Sequence, residues 1–308
     1  MGIGHGFDHS HPRFLSASSS TSAVKIFFPR ATPMTPRERI LPQLHAQLAA
    51  GRIIVGGGAG TGLSAKCGEL GGLDLIILYN SGRFRMAGRG SLSGLMPYGD
   101  ANQIVLEMAR EVLPIVGRTP VLAGVCATDP FRRMPHFLAE IRDLGFQGVQ
   151  NFPTVGLIDG TFRATLEETG MSYAKEVEMI GLARGLGLLT CPYAFTTAEA
   201  EAMAAAGADV LIPHMGLTTK GTIGAKTALS LDDCAARVQK LADAAKRINP
   251  EILVLCHGGP IAEPDDVRYI LERTRGIAGF FGASSIERLP TEVAITDCVK
   301  RFKEIGIA

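Results

Sequence analysis

The chain has 308 residues, of which 46% are hydrophobic and 20% charged, a composition typical of a globular protein with a large core. Its 31 basic and 30 acidic residues give a formal net charge of +1, so no basic field favours nucleic acid or a membrane surface. The six cysteines include no CxxC pair, which indicates a reducing, cytoplasmic compartment rather than a disulfide frame or a zinc site. No apolar run approaches the roughly 18 residues of a membrane span.

Residues 1–34 differ in composition from the rest of the chain. They are rich in serine and glycine, poor in acidic residues, and contain His5, His9 and His11. This composition predicts either a flexible leader or a start codon that was assigned too early. We therefore expect the folded domain to comprise residues 35–308.

A helix is predicted at the start of that domain. Thr35, Pro36 and Glu38 match an N-cap, a proline in the first turn and the third residue of a capping box. Gly51 would end this helix, and the first apolar run of the chain begins directly after it.

Eight short apolar runs follow at regular intervals. Each is continuously apolar rather than alternating, as expected for parallel strands that are buried on both faces. The runs are residues 52–60, 73–80, 120–129, 146–152, 188–195, 209–216, 251–259 and 276–285.

Amphipathic stretches separate these runs and predict helices. They cover residues 101–116, 131–144, 172–186, 197–206, 231–248, 264–275 and 291–305. Eight strands that alternate with helical stretches, after a leading helix, predict an α/β fold, a single (β/α)8 TIM barrel whose N-terminal helix caps the barrel bottom. An open doubly wound sheet is the alternative, but the lack of a dinucleotide-binding glycine fingerprint favours the closed barrel.

Three of the predicted connections are unusually long, namely residues 80–100, 153–171 and 216–230. All three follow strands, so all three lie at the C-terminal face of the barrel. Barrel enzymes keep their active sites at that face, and long ordered loops there are usually functional.

The first two predicted strands end in candidate anion-binding residues. The first carries a glycine run that includes Gly58 and lets backbone N–H groups approach a ligand, although tight barrel packing explains the run equally well. The second is followed by residues that could hold a carboxylate or phosphate, or else form a solvated basic loop. These residues are Ser81, Gly82, Arg83 and Arg85.

Titratable side chains follow the third, sixth, seventh and eighth strands. Asp129 is either a catalytic base or metal ligand, or the N-cap of the next helix. His214 and His257 each close a buried strand before a glycine-rich loop, which favours a catalytic role because imidazole titrates near neutrality. Glu287 could orient one of these histidines or pair with an arginine.

The loops after strands seven and eight predict a phosphate site, which barrel enzymes often build there. Alternatively one of the serines caps a short helix, and a capped helix N-terminus is itself an anion site. The candidate residues are Gly258, Gly259, Gly282, Ser284 and Ser285.

Several of these motifs resemble known families. The segment "GTGLSAKCGELGGLDLIILYNSG" (60–82) is similar to the start of phosphoenolpyruvate mutase and isocitrate lyase-type barrels, which implies that Ser81 and Gly82 bind substrate. The region from about 35 to 305 resembles the phosphoenolpyruvate hydrolase-like family, also called TIM-barrel signal-transduction proteins. "GGGAGTGLSAK", "CHGGPIAEPDD" and "GFFGASSIERLP" carry this resemblance.

The third strand departs from the mutase pattern. Mutase-type barrels hold Mg²⁺ with aspartates on that strand, whereas the matching stretch here is "VLAGVCATDP". Gly124 and Cys126 fall near the two carboxylate positions, and only Asp129 lies close. The cofactor therefore stays unknown, because family analogy implies Mg²⁺ while the carboxylates are not matched.

Together these patterns predict a hydrolase or lyase that acts on a small phospho- or phosphono-carboxylic acid, similar to phosphoenolpyruvate or phosphonopyruvate. Its mechanism would be general acid–base chemistry at the C-terminal face. The alternative is a non-catalytic barrel that senses a metabolite and has a signal-transduction role. In both cases we expect a small anionic metabolite as ligand, no nucleic acid, no membrane, and a homo-oligomer.

Overall fold

A computed structural model of the chain describes residues 34–307. The expectation of a flexible leader or early start codon therefore lies, except for Met34, outside the described residues. Within residues 34–307, no helix is both long and apolar enough to cross a membrane.

In the described part of the chain, nine short strands form a single sheet, and each lies inside one of the predicted apolar runs. They are β1 (Ile54–Gly58), β2 (Leu75–Leu78), β3 (Val121–Gly124), β4 (Gly148–Gln150), β5 (Leu189–Thr190), β6 (Tyr193–Ala194), β7 (Val210–Pro213), β8 (Leu253–Cys256) and β9 (Gly279–Gly282). All neighbours pair in parallel, in the order β5-β4-β3-β2-β1-β9-β8-β7-β6. β2 is buried along its whole length, as its continuous apolar run predicts.

The two ends of this order belong to the same predicted strand. β5 pairs with β4 and β6 pairs with β7, and only Cys191 and Pro192 separate the two segments. Pro192 has no N–H group to donate to a ladder, which explains why the strand is interrupted there. The sheet therefore closes into an eight-unit barrel, and the predicted (β/α)8 TIM-barrel fold is confirmed.

Eleven α-helices occur between residues 34 and 307. They are α1 (Pro36–Ala49), α2 (Gly62–Leu70), α3 (Asn80–Met86), α4 (Ala101–Val112), α5 (Met134–Leu144), α6 (Gly160–Glu168), α7 (Tyr173–Gly185), α8 (Thr197–Ala205), α9 (Leu231–Ile248), α10 (Pro264–Arg273) and α11 (Arg288–Lys303).

The leading helix α1 closes the N-terminal end of the barrel, as predicted. Thr35 and Glu38 form the expected capping box. The side chain of Arg37 donates a 2.8 Å hydrogen bond to Asp209, which directly precedes β7, and Ile40 and Leu44 are buried. Asp209 lies at the N-terminal end of β7. α1 therefore packs at the N-terminal end of the barrel, opposite the C-terminal face that holds the candidate site.

Two of the three long connections contain helices that the pattern did not predict. α3 begins directly after β2, and a 3-10 turn follows at Ser91–Leu95. The segment 153–171 contains a 3-10 turn at Val155–Leu157 and then α6. Both helices begin with glycine or small polar residues of low helix propensity, so sequence alone favoured loops. The third connection, residues 216–230, is irregular as expected.

Candidate functional site

A small buried cavity lies at the C-terminal face of the barrel. Its volume is about 30 Å³, and most of the side chains that border it are polar. The lining residues that carry polar side chains are Tyr79, Ser81, Arg85, Ser91, Tyr193, His214, Thr218, His257 and Ser284. The ends of five strands contribute to this set, which is the usual construction of a barrel active site.

The structure brings the two predicted histidines together. His214 follows β7 and His257 follows β8, and the two residues form a parallel bridge that extends the ladder between these strands. Their ring centroids are 4.7 Å apart, and Tyr193 packs against both rings. Because neighbouring parallel strands end at the same level, two histidines at the same register are necessarily neighbours.

The two imidazoles have opposite tautomers. The Gly216 N–H donates to Nδ1 of His214 at 3.1 Å, so a neutral His214 carries its proton on Nε2. Nδ1 of His257 lies 2.6 Å from the carbonyl oxygen of Phe281, which can only accept, so His257 carries its proton on Nδ1. His214 therefore offers an Nε2–H donor, and His257 offers an Nε2 lone pair.

Burial keeps both rings neutral. It lowers the pKa of His257 to about 4, with the nearby Arg85 acting in the same direction. Burial and the neighbouring His257 hold the pKa of His214 well below its usual value. Their exposed fractions are only 5% and 6%, so a ligand reaches them only after part of the surrounding structure moves.

Arg85 reaches the cavity as part of a buried ion pair with Glu287. Its Nε and Nη2 atoms lie 3.1 and 2.7 Å from Oε1 of Glu287, and its guanidinium stacks over Tyr79 at 5.1 Å. The other carboxylate oxygen of Glu287 accepts from the Gly60 N–H at 2.5 Å and from Ser64 at 3.2 Å. Glu287 is thus not the histidine-orienting group, because both of its oxygens are used by these scaffold contacts.

The candidates near β1 and β2 divide between the cavity and the scaffold. Ser81 borders the cavity and donates a short hydrogen bond to the carbonyl of Ser91. Gly58 leaves space for the Arg85 side chain, since a Cβ at this position would lie 3.0 Å from Nη2 of Arg85. Gly82 packs on the backbone of Gly60 and does not border the cavity, and Arg83 points outward to Glu107 at 2.6 Å.

Most of the predicted phosphate site faces elsewhere. Gly258 and Gly259 adopt left-handed conformations that bring the loop under Gly216, and the Gly259 N–H is used by the Gly216 carbonyl. Gly282 packs among side chains of its own turn, and Ser285 lies on the outer surface of the barrel. Ser284 alone of the five candidates borders the cavity, where its hydroxyl lies 3.5 Å from that of Ser91.

Asp129 stabilises the start of the next segment rather than lining the cavity. Its carboxylate accepts from Asn102 and the Phe131 N–H, each at 2.9 Å, and from Arg132 at 2.8 Å. No group of three histidine, cysteine or acidic residues in the described part of the chain is placed to hold a metal ion. With Gly124 and Cys126 at the other two positions, the donors present do not fit Mg²⁺.

A second cavity of about 140 Å³ adjoins the first, and the two share Ser91, Leu217, Thr218 and Ser284 in their walls. Arg288 also borders it. The two cavities are therefore adjacent, with these shared residues between them. Tyr79 and Ser91 are further wall residues that the motifs did not identify, although Tyr79 closes a buried strand as the histidines do.

The loop 216–226 covers both cavities and is tied to two helices. The Lys220 ammonium group lies 2.6 Å from Glu263, the N-cap of α10, and 3.0 Å from Asp266 in the first turn of that helix. Arg288 donates to the Lys220 carbonyl at 2.9 Å, and Glu292 accepts from the Thr222 hydroxyl at 2.7 Å. The N-terminal ends of α10 and α11 thus hold the loop in place.

Sequence relatives extend over nearly the whole chain. It is 62% identical over 282 residues to the ToMV susceptible protein tm-1(GCR26) of Solanum lycopersicum, covering 91% of this chain and 37% of that protein. It is 34% identical over 278 residues to the "Putative transcriptional regulatory protein y4pA" of Sinorhizobium fredii (strain NBRC 101917 / NGR234), covering 90% and 45%. The chain therefore spans less than half the length of these relatives.

Solved structures share the fold at low sequence identity. A phosphonopyruvate hydrolase in complex with oxalate and Mg²⁺ aligns with a TM-score of 0.52 and 16% identity, covering 88% of both chains. A 2,3-dimethylmalate lyase, a member of the PEP mutase/isocitrate lyase superfamily, aligns with a TM-score of 0.54 and 16% identity, covering 89% of both.

The family itself is defined by sequence. The sequence model of the family described as "Phosphoenolpyruvate hydrolase-like" matches residues 39–305, which include every strand and outer helix of the barrel. With that match, the chain belongs to the phosphoenolpyruvate hydrolase-like family.

Proposed function

We propose that this barrel is a hydrolase or lyase for a small phospho- or phosphono-carboxylic acid, similar to phosphoenolpyruvate or phosphonopyruvate. The observation that carries the proposal is the pair of buried, neutral histidines with opposite tautomers in one polar cavity. A lone pair and an N–H donor side by side are what a proton transfer to or from a bound oxygen requires.

His257 is the general base in this proposal. Its free Nε2 accepts a proton from the substrate or from an attacking water, and the Nδ1–H···O=C bond to Phe281 stabilises the imidazolium that forms. The same nitrogen then returns the proton to the leaving atom. Burial opposes this protonation, so a bound anion beside the ring supports it.

His214 is a neutral hydrogen-bond donor rather than a full acid. Loss of its Nε2 proton would leave an imidazolate, which is inaccessible at neutral pH. A neutral N–H group can instead polarise a carbonyl or stabilise an oxygen on which charge develops. The hydrogen bond from Gly216 fixes this tautomer.

The substrate's carboxylate is assigned to Arg85 and Ser284, and its second anionic group to the adjoining cavity beside Arg288 and Thr218. The related hydrolase is described with oxalate and Mg²⁺. Because the donor set here does not fit that ion, the roles above fall to side chains and backbone N–H groups.

Turnover of phosphonopyruvate and phosphoenolpyruvate, followed by phosphorus NMR, tests the proposal. We expect His257→Gln to lower kcat about 10²- to 10⁴-fold, the range for loss of a general base. Arg83→Gln is the matched control, since Arg83 points away from the cavity. Undiminished turnover in a His214→Gln/His257→Gln double variant would contradict the proposal.

A second candidate function is metabolite sensing without catalysis. It is favoured by the name of the Sinorhizobium relative, a transcriptional regulatory protein that extends well beyond the region matched here. Titration calorimetry with the same two acids separates the candidates. Binding that His257→Gln leaves intact, without any new phosphorus signal, supports sensing.

A further inference from the structure

A substrate reaches the two histidines only if part of the barrel mouth moves. The inner cavity has a volume of about 30 Å³, which is room for roughly one or two water molecules. A phospho-carboxylic acid is several times larger. Three long connections surround this face, residues 80–100, 153–171 and 216–230, so the question is which of them opens.

Buried polar contacts pin the first two connections. Arg85 in the first is held by its ion pair with Glu287, whose carboxylate has no exposure to solvent. Thr154 in the second donates a 2.7 Å hydrogen bond to Glu176, and both side chains are buried. Breaking either contact leaves a buried polar group without its partner, which is strongly unfavourable. Neither connection is therefore suited to open.

Exposed side chains hold the tip of the third connection. Lys220, whose side chain is 38% exposed, contacts Glu263 and Asp266, which are 61% and 16% exposed. The exposed Thr222 donates to Glu292 from its N–H and from its hydroxyl, at 3.0 and 2.7 Å. Ion pairs and hydrogen bonds at the surface contribute little to stability because water replaces them readily. This connection therefore opens more readily than the other two.

The remaining contacts of the loop can break without stranding a charge. Arg288 donates to the Lys220 carbonyl at 2.9 Å, and it keeps its ion pair with Glu292 when that bond is lost. The Gly259 N–H donates to the Gly216 carbonyl at 2.8 Å, and both groups become accessible to water once the loop lifts.

Gly216 is placed to act as the hinge. Its φ of +104° is one that other residues rarely adopt, and none of the described atoms lies within 4 Å of an added Cβ. Its N–H donates to Nδ1 of His214 and belongs to the peptide plane that precedes the rotating bonds. Met215 stays in the ladder through its 2.9 Å bond to the His257 carbonyl. Rotation about φ and ψ of Gly216 thus turns the loop without moving the N–H that holds His214.

We infer that residues 217–226 are a lid that opens about Gly216 to admit the substrate, and that His214 keeps its tautomer while the lid is open. The lid carries Leu217 and Thr218, which line both cavities, so its opening exposes the histidines and its closure surrounds the ligand. The donor and the acceptor are then preorganised before the substrate arrives. The identity of the ligand rests on the proposed function, whereas lid opening is measured without turnover.

Acylation by diethyl pyrocarbonate measures access to His257. The reagent reacts with an unprotonated imidazole nitrogen and is much larger than the inner cavity, so the reaction requires an open lid. Lys220→Gln should speed it about three- to tenfold, because two ion pairs of the lid are lost. Lys226→Gln is the matched control, since it removes the same charge from the same loop and leaves both ion pairs intact. Exposed His45 and His136 are internal references.

An unchanged rate in Lys220→Gln, or an equal increase in Lys226→Gln, would overturn the lid. A second measurement closes the lid covalently. In a Cys67→Ser/Cys298→Ser background, dibromobimane joins the thiols of Thr222→Cys and Glu292→Cys, and monobromobimane labels them without joining them. The joined protein should be modified at its buried histidine about tenfold more slowly or less. Equal rates in the two samples would contradict the inference.

NMR supplies two tests that do not depend on acylation. In the wild type, the hydrogen-bonded N–H of Thr222 should exchange faster than that of Val155, which is bonded to buried Glu176, and slower or equal exchange would overturn the choice of connection. In Lys220→Gln, His214 should keep its proton on Nε2, and loss of that tautomer would overturn the hinge. A lid that opens as described in a protein without turnover would contradict the proposed function alone.

Discussion

Asn151 donates a 2.6 Å hydrogen bond from Nδ2 to Oε2 of Glu176, and neither side chain has any exposure to solvent. The same carboxyl accepts from Thr154 at 2.7 Å and from the Val155 N–H at 2.8 Å. Oδ1 of Asn151 accepts from the N–H of Tyr193, whose ring packs on both histidines. A buried carboxyl group thus supports the cavity wall from behind.

This carboxyl group should make the stability of the fold depend on pH. Burial raises the pKa of Glu176 to about 8 from its ordinary 4.5, so the native state binds more protons than the unfolded state between these values. Its contribution to stability is therefore present below pH 4.5 and is lost as the pH rises through 8.

Urea unfolding between pH 4.5 and 8.5 measures the effect. The free energy of unfolding of the wild type should fall by a few kcal/mol relative to that of Glu176→Gln across this range. The variant keeps the size of the side chain and removes the titration. Parallel pH profiles for the two proteins would contradict the assignment.

The tautomers of the two histidines can be observed directly. Nitrogen-15 NMR at pH 7 should show His257 protonated on Nδ1 and His214 on Nε2, with neither ring titrating between pH 5.5 and 8. His136, exposed on α5, provides a reference signal. A histidine of the pair that gains its proton near pH 6.5 would show that the rings are far less desolvated than the structure has them.

Removing one member of the buried ion pair should be strongly destabilising. The side chains of Arg85 and Glu287 are 1% and 0% exposed, so Arg85→Met leaves an uncompensated buried charge that costs about 3–5 kcal/mol. Arg85→Met/Glu287→Leu should cost clearly less than the sum of the two single variants. A double-mutant cycle by chemical denaturation measures this coupling, and additive effects would contradict it.

Gly60, which follows the glycine run of β1, is predicted to serve packing rather than ligand binding. A Cβ at that position would lie 2.1 Å from the backbone oxygen of Gly82, which cannot rotate away, so Gly60→Ala should cost about 1–3 kcal/mol. Gly117→Ala is the control because no atom lies within 4 Å of the added Cβ. Thermal unfolding compares the two, and equal melting temperatures would show that the turn after β1 adapts freely.

The sequence was sufficient to predict the barrel because each strand is buried on both faces and is therefore continuously apolar. It was also sufficient for His214 and His257, whose positions at equivalent strand ends dictate that they meet. The sequence pattern did not predict which way side chains point in the turns, or in helix α3, which was itself not predicted. Arg83 and Arg85 are two residues apart on that helix, so they point about 200° apart and only one can face the cavity.

Side-chain direction was also not predictable in the turn after β9. Ser284 and Ser285 are adjacent in the sequence, yet one borders the inner cavity and the other lies on the outer surface of the barrel. Nothing in "GASSIE" distinguishes these directions, because a turn has no fixed periodicity. Glu287 was found as a candidate, but its partners Gly60, Ser64 and Arg85 come from distant positions in the chain.

The pairing of charges around the two cavities has a kinetic consequence. Arg85 is paired with Glu287, Arg288 with Glu292, and Lys220 with two acidic partners, so adjacent carboxylates neutralise these three cations. An anion arriving from solution is then recognised mainly by short-range donors, with little electrostatic steering. Its association rate should be nearly independent of ionic strength, unlike that of an enzyme whose entrance carries excess positive charge.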